Sequence, residues 1–239
     1  MQVGIMVPTD PVNLLDPSPF GPFSYYGHIG IGLVGWVAAA IALTAKKGSP
    51  THVWAGRLFI FCILIVAITS LILLSTRAAP PLMVAAITSV YAVATAYLAL
   101  QPATRTVRRT EYGLFGAEIL LLMVFAAGAS ANIAAGNIPA IGPIMIAAIP
   151  VILLVGDINF FRKASQRSRL RIRRHLSRMI WAVVIAVRAP VTEFYSAFSL
   201  PFGLILFGPL IITPLIIWYF LRKQPKLTRS KAHSTAFSP

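Results

Sequence analysis

Residues 56–74 read GRLFIFCILIVAITSLILL, a run of nineteen residues in which Arg57 carries the only charge. A helix needs about 20 predominantly apolar residues to cross the hydrocarbon core of a bilayer, which is about 30 Å thick. Lipid offers the backbone no hydrogen-bond partner, so a segment of this kind is stable in a membrane only as a helix. The run therefore predicts a transmembrane helix.

Six further runs of the same kind account for most of the chain. They are Phe23–Leu43, Pro81–Leu100, Tyr112–Ala135, Ile141–Phe161, Met179–Ala197 and Pro201–Leu221. Only 11% of the residues are charged, whereas a soluble domain carries about 25%. We therefore predict an all-α bundle of seven transmembrane helices over residues 23–221, between an irregular external segment at 1–22 and a basic tail at 222–239.

The basic residues predict the orientation of this bundle. The chain has 21 Lys and Arg residues against 6 Asp and Glu. Nineteen of the basic residues lie in the first, third and fifth loops and in the tail, whereas the second loop has only Arg77. Cytoplasmic loops carry the excess of Lys and Arg, so we predict the N-terminus outside and the C-terminus in the cytoplasm. The net charge is +15, and the basic residues that produce it lie between apolar runs. This distribution favours anionic lipid headgroups as partners over nucleic acid.

The most polar part of the bundle region is the segment 162–178, which contains eight Lys and Arg residues. It has too few apolar residues to cross a membrane. We interpret it as a basic loop that lies on anionic headgroups, with a docking surface for an acidic partner as the alternative. No phosphate-binding, metalloprotease, nucleophile or paired-cysteine motif accompanies it, so soluble-enzyme chemistry is not supported.

Three histidines lie within or beside the predicted spans. His28, in the first turns of helix one, shares a face with Gly32 and Gly35 and is predicted to point into the bundle. His52, in the first loop, and His175, at the start of helix six, are on the same side of the membrane and are predicted to converge. Two imidazoles on facing helices are a haem-ligand set. No local spacing fixes a metal, so a structural role stays open for each histidine.

Asp157 lies near the end of helix five, where the helix dipole disfavours an anion. It is therefore predicted to have a cationic partner at the start of helix six, and Arg174, His175 and Lys163 are the candidates nearest in chain and depth. Adjacent antiparallel helices place such groups at similar depth.

Arg188 lies near the middle of the predicted sixth span. An unpaired guanidinium is costly in lipid, so Glu118 of helix four or Glu193 of helix six is predicted to pair with it. The alternative is that Arg188 anchors a substrate or a quinone, and the sequence favours neither reading.

Two short motifs carry a resemblance to a known group of proteins. KGSPTH at Lys47–His52 and RHLSRM at Arg174–Met179 resemble segments of a family of bacterial polytopic membrane proteins that is known only as a domain of unknown function. The resemblance covers Ser24 to about Ala197 and implies a bacterial cytoplasmic membrane protein. The positions that it marks as important are His28, His52, Gly56, Arg57, Asp157, His175 and Arg178. The chain departs from the pattern after Met179, so the resemblance says nothing about Arg188, Pro190 or Glu193.

Three functional hypotheses follow. The first is a non-catalytic accessory or structural subunit that binds other membrane subunits through its lipid-facing surface or its basic face. The second is a haem-binding or quinone-linked redox protein that uses His52 and His175, with His28 toward the other face. The third is a small transporter whose path is lined by Arg188, Glu118 and Glu193. The sequence fixes no substrate and no cofactor.

Overall fold

The computed structural model describes residues 22–74, 79–193 and 201–223, and the regular structure in these ranges is helical throughout. The helices are α1 (Pro22–Thr44), α2 (Pro50–Leu74), α3 (Pro80–Leu100), α4 (Arg105–Ala134), α5 (Ile141–Arg162), α6 (Arg167–Glu193) and α7 (Phe202–Lys223), with a 3₁₀ turn at Ala164–Gln166 before α6. All except α6 are long and apolar enough to cross a membrane. The predicted all-α fold is confirmed. The predicted end segments fall outside the described residues, apart from the helical residues 22, 222 and 223.

The basic segment 162–178 corrects one expectation. The sequence predicts a loop there and a helix from Met179, whereas α6 begins at Arg167 and continues to Glu193 without a break. Arginine is a good helix former, and this stretch has acidic partners on neighbouring helices. Most of the segment is therefore the first half of a helix and not a loop.

Helix α4 also begins earlier than the apolar run that predicts it. It starts at Arg105 and not at Tyr112, because Thr104 caps it by accepting a hydrogen bond from the Val107 backbone N–H at 3.2 Å. The early start brings two turns of polar sequence into the helix. Those two turns contain one of the acidic residues described below.

The turns that follow α1, α3 and α5 lie together at one end of the bundle, which we call the basic end. Arg167, at the start of α6, donates to the Leu98 carbonyl in the last turn of α3 at 3.3 Å. The ammonium group of Lys47, in the α1–α2 turn, lies 5.6 Å from the centroid of the Phe220 ring near the end of α7. Helix α7 therefore ends at the basic end, whereas α1 begins at the opposite end.

Helix α3 is the centre of the bundle. In the most apolar 18-residue stretch of α3, 56% of the residues are buried, whereas in that of α4 only 6% are buried. Small residues of α3 (Ala92, Ala96 and Ala99) are almost completely buried and allow α6 to pack closely. Helices α1 and α2 meet as tightly: a Cβ atom on Gly35 would lie only 3.1 Å from the Cβ of Cys62. This packing holds the polar side chains of α3, α4, α5 and α6 inside the bundle.

Candidate functional site

Five charged side chains form a buried ionic cluster at the basic end: Glu111 of α4, Asp157 of α5, and Arg167, Arg174 and Arg178 of α6. Arg174 joins the two acids, because its Nε donates to Asp157 Oδ1 at 2.9 Å and its Nη1 donates to Glu111 Oε1. Arg178 Nη2 lies 2.6 Å from Asp157 Oδ1. Arg167 donates to both oxygens of Glu111, at 2.7 and 3.1 Å. The two acids and Arg178 are at most 2% exposed.

Aromatic rings complete the ionic cluster. The Tyr91 hydroxyl of α3 donates to Asp157 Oδ2, so all four carboxylate oxygens of the two acids accept hydrogen bonds from the protein. The ring centroid of Phe160 lies 4.2 Å from Arg174 Cζ, and that of Tyr91 lies 5.2 Å from Arg178 Cζ, within the range of cation–π attraction. Removing one partner from a buried ion pair costs about 3–5 kcal/mol. The ionic cluster therefore links α3, α4, α5 and α6, and the loss of one of its charges would leave another buried without its partner.

The predicted cationic partner of Asp157 is confirmed for one of the three candidates. Asp157 pairs with Arg174 and with Arg178, a further arginine of α6. His175 does not reach it, because its Nδ1 lies 3.1 Å from the Ala96 carbonyl oxygen on α3. The side chains at positions 174 and 175 point in different directions from the same helix, so only one of them meets α5.

Sequence reasoning missed Glu111 and Arg167, although the helical period contains a signal for both. Arg167, Arg174 and Arg178 stand at i, i+7 and i+11, and Glu111 and Glu118 stand at i and i+7. Each set lies along one face of a helix. The spacing was not considered because Glu111 and Arg167 lie in stretches whose composition is typical of loops.

The KGSPTH motif forms the turn between α1 and α2. The Lys47 ammonium donates to carbonyls at the end of α1, including Ala42 O at 3.0 Å. Gly48 adopts a positive φ of 81°, which a residue with a side chain rarely adopts. Ser49 Oγ accepts from the His52 backbone N–H at 3.2 Å, as an N-cap does. The His52 ring closes the turn, with Nδ1 2.8 Å from Ala42 O.

His52 and His175 are held in the same tautomer. Because a carbonyl oxygen only accepts, Nδ1 of each ring carries the proton that it donates to the main chain. Nε2 is then the unprotonated nitrogen of each neutral ring. Each ring is bonded to a main-chain carbonyl and not to the other histidine, so the convergence of His52 and His175 stays a prediction. The described ranges contain no group of three or more His, Cys, Asp or Glu side chains placed to hold a metal ion.

His28 lies at the other end of the bundle. Its Nδ1 is 2.8 Å from Thr69 Oγ1 of α2. The Thr69 hydroxyl donates to carbonyls of its own helix, including Ile65 O at 2.9 Å, so it accepts from His28. The prediction that His28 faces protein is confirmed. The bond joins α1 to α2.

A cavity of about 50 Å³ lies between α3, α5 and α6, on the side of the ionic cluster away from the basic end. Its walls are mostly apolar, with Ile146, Ile149, Pro150 and Ile185 among them, and its polar members are Thr88, Arg188 and Thr192. Arg188 is ten residues beyond Arg178 on α6, or about 15 Å of helix rise. Among the described side chains, which do not include that of Glu193, no carboxylate or hydrogen-bond acceptor contacts its guanidinium group.

The prediction that Glu118 pairs with Arg188 is wrong. Its Oε1 accepts a hydrogen bond from Thr88 Oγ1 at 2.7 Å, and its Oε2 has no partner although the residue is 1% exposed. Arg178 Nη1 is also buried without a partner. The side chain of Glu193, the other predicted partner of Arg188, lies outside the described part of the chain. Thr88 thus contacts the cavity on one side and Glu118 on the other.

Comparisons with protein-family models, with curated proteins and with solved structures each gave no match to this chain. The resemblance of the KGSPTH and RHLSRM motifs to a bacterial membrane-protein family therefore stays a prediction. What the site can do follows from the geometry of the ionic cluster and of the Arg188 cavity.

Proposed function

We propose that this protein is a seven-span protein of the bacterial cytoplasmic membrane and that it is a small transporter for an anionic amphiphile bound at Arg188. The basic end is then cytoplasmic, because it holds the loops that are rich in Lys and Arg. The opposite positions of the start of α1 and the end of α7 favour an odd number of spans. Helix α6 supplies the seventh span from Met179 onward.

The observation that carries the function is the Arg188 guanidinium, which lines an apolar cavity without an anionic partner among the described residues. A cation at this depth is costly, and an anion beside it would neutralise the charge. Position 193 lies about 140° around the helix from position 188, since each residue turns an α-helix by about 100°. This register favours an external anion over Glu193 as the group that meets Arg188.

The size of the cavity favours the head of an amphiphile over a whole ligand. One water molecule needs about 10–15 Å³ of such space, so about 50 Å³ holds a few waters or one group the size of a carboxylate or sulfonate. The apolar walls suit an alkyl chain next to that head. Thr88 and Thr192 also line the cavity, but their hydroxyl groups already donate to Glu118 Oε1 at 2.7 Å and to the Arg188 carbonyl at 2.8 Å. Arg188 is therefore the group proposed to meet the oxygens of the head.

The other hypotheses predict different ligands. A quinone offers neutral carbonyl oxygens, which accept hydrogen bonds from Arg188 but leave its charge unbalanced. A haem would require His52 and His175 at the basic end, and its Soret absorption would reveal it in the purified protein. An accessory subunit needs no ligand in the Arg188 cavity. Binding measurements with defined head groups separate these cases.

The test is thermal unfolding in dodecyl maltoside with three additives that share a ten-carbon tail: decanesulfonate, decanol and decyltrimethylammonium. Decanesulfonate at 100 times its Kd adds about 2.7 kcal/mol to stability. In a chain of this size about 1 kcal/mol shifts the Tm by about 2–4 °C. We therefore expect decanesulfonate to raise the Tm by about 5–10 °C, and the other two additives to have little effect.

The matched variants are R188Q and R222Q. Arg222 is an exposed arginine stacked on the Trp218 ring, 3.8 Å from its centroid, so R222Q loses a surface charge outside the cavity. We expect R188Q to abolish the Tm shift and R222Q to keep it. An equal shift in both variants would contradict the proposal. A shift with decylubiquinone and none with decanesulfonate would support the quinone hypothesis, and an E193Q variant that gains affinity for decanesulfonate would assign Glu193 as a competing partner of Arg188.

A further inference from the structure

Thr88 connects the Arg188 cavity to a buried carboxyl group. Its side chain lines the cavity, and its hydroxyl donates to Glu118 Oε1 at 2.7 Å. A hydroxyl group has a single proton, so it donates to one acceptor at a time. An anion that binds beside Arg188 therefore competes with the Glu118 carboxylate for the same donor. The occupancy of the cavity and the state of Glu118 are linked through this one hydrogen bond.

The Glu118 carboxyl group is poorly solvated for an anion. It is 1% exposed, and Oε2 receives no hydrogen bond from the described residues. Among the described residues no cation forms an ion pair with Glu118: α3 contributes the neutral Thr88 hydroxyl, and Arg178 of α6 is the cation whose charge reaches it. Arg178 is itself paired with Asp157 at 2.6 Å. A buried carboxylate with one hydrogen bond and no direct ion pair favours uptake of a proton.

We propose that Glu118 is a proton-binding site that couples the binding of an anion in the Arg188 cavity to the uptake of one proton. The inference rests on the proposed function. The proton adds to the Glu118 carboxylate, and the new O–H donates to Thr88 Oγ1. The Thr88 hydroxyl then turns into the cavity and donates to the anion. No covalent bond other than this O–H forms or breaks, and the bound anion and the proton together bring no net charge into the bundle.

This coupling has a definite sign. Proton binding to Glu118 frees the Thr88 donor for the anion, and the anion favours the protonated form of Glu118 in return, since linkage is reciprocal. The affinity for the anion should therefore rise as the pH falls, by up to tenfold per pH unit over the range in which the empty site is deprotonated and the occupied site is protonated. A permanently ionised probe is required, so that the pH changes the protein and not the ligand.

The experiment measures the Kd of decanesulfonate between pH 5.5 and pH 8.5 in the wild type, in three variants and in one control variant. We expect the wild type to bind more tightly at low pH. In E118Q the amide donates to Thr88 at every pH, so binding should be tight and independent of pH. T88V should weaken binding and remove its pH dependence, whereas T88S should restore both. T95V is the matched control, because the Thr95 hydroxyl bonds to Tyr91 O of its own helix at 2.7 Å.

A second readout is direct. Dicyclohexylcarbodiimide adds to protonated carboxylic acids in apolar surroundings, and mass spectrometry locates the adduct. We expect labelling of Glu118 that increases at low pH and with decanesulfonate, and none of Glu111 or Asp157, whose oxygens are all bonded to donors. Tight binding of decanesulfonate that does not depend on pH would overturn the coupling and leave the proposed function standing. Labelling of Glu118 without decanesulfonate binding would overturn the proposed function and leave only the proton site.

Discussion

The two ends of the polar interior differ in how their charges are satisfied. At the basic end, Glu111 and Asp157 have every carboxylate oxygen bonded, and three arginines surround them. About 15 Å further along α6, Arg188 lines a cavity and meets no anion among the described residues. The carboxylate oxygens of the ionic cluster are all bonded, although Arg174 Nη2 and Arg178 Nη1 are buried without a partner in the described part of the chain. The acids therefore leave no free acceptor at the basic end. A charge that the fold leaves unpaired can attract an external anion. This difference is the reason why we propose that Arg188, and not the ionic cluster, meets such an anion.

Of the three substitutions D157N, Y91F and R188M, the one that breaks the ionic cluster should lower the free energy of unfolding most. D157N keeps the shape of the side chain but removes the negative charge shared by Arg174 and Arg178. We expect a loss of about 3–5 kcal/mol in the free energy of unfolding, the usual cost of leaving a buried charge without its partner. Thermal unfolding in dodecyl maltoside, followed by circular dichroism, measures it. A change below about 1 kcal/mol would mean that the cluster is not a cross-link.

A smaller effect is expected from the hydroxyl group that completes the ionic cluster. Y91F removes the donor to Asp157 Oδ2 but keeps the ring against Arg178. A hydrogen bond to a charged group contributes about 1.5–3 kcal/mol, so the loss should be of that size. Y97F is the control, because Tyr97 is 47% exposed. Equal losses in the two variants would place the effect in general packing and not in the bond to Asp157.

The smallest expected effect has the opposite sign. R188M replaces the unpaired guanidinium by an apolar side chain of similar length, and it removes a charge whose burial is costly. We expect the free energy of unfolding to rise by about 1 kcal/mol without ligand, while the affinity for decanesulfonate is lost. A destabilisation as large as that of D157N would show that Arg188 has a strong partner within the protein.

The spans could be predicted from the sequence because their signal is local. Length and apolarity alone determine runs such as residues 56–74 and 81–100, and each of these lies inside a single helix. The N-terminal half of α6 could not be predicted in the same way. Its many arginines make the composition of this stretch typical of a loop. The reason why it is helical is that three of these arginines pair with acidic residues of α4 and α5.

The candidate site was predictable only in part. The Asp157–Arg174 pair joins helices that are adjacent in the chain, so depth and charge were enough to anticipate it. The pair between Glu111 and Arg174 joins residues 63 positions apart, and the Thr88–Glu118 bond joins residues 30 apart. Such contacts depend on which helix faces pack together, and a single sequence does not contain that information. The Arg188 cavity is likewise a property of three packed helices.

We propose that Arg188 binds an anion and that the ionic cluster binds none. The most direct measurement is an experimental structure with 10-bromodecanesulfonate, in which sulfonate density and anomalous scattering from bromine locate the head and the tail. We expect the sulfonate within about 4 Å of the Arg188 guanidinium, the distance of an ion pair, with the bromine toward lipid and no density between Glu111 and Asp157. A Glu193 carboxylate on Arg188 with sulfonate only on exposed arginines would contradict it.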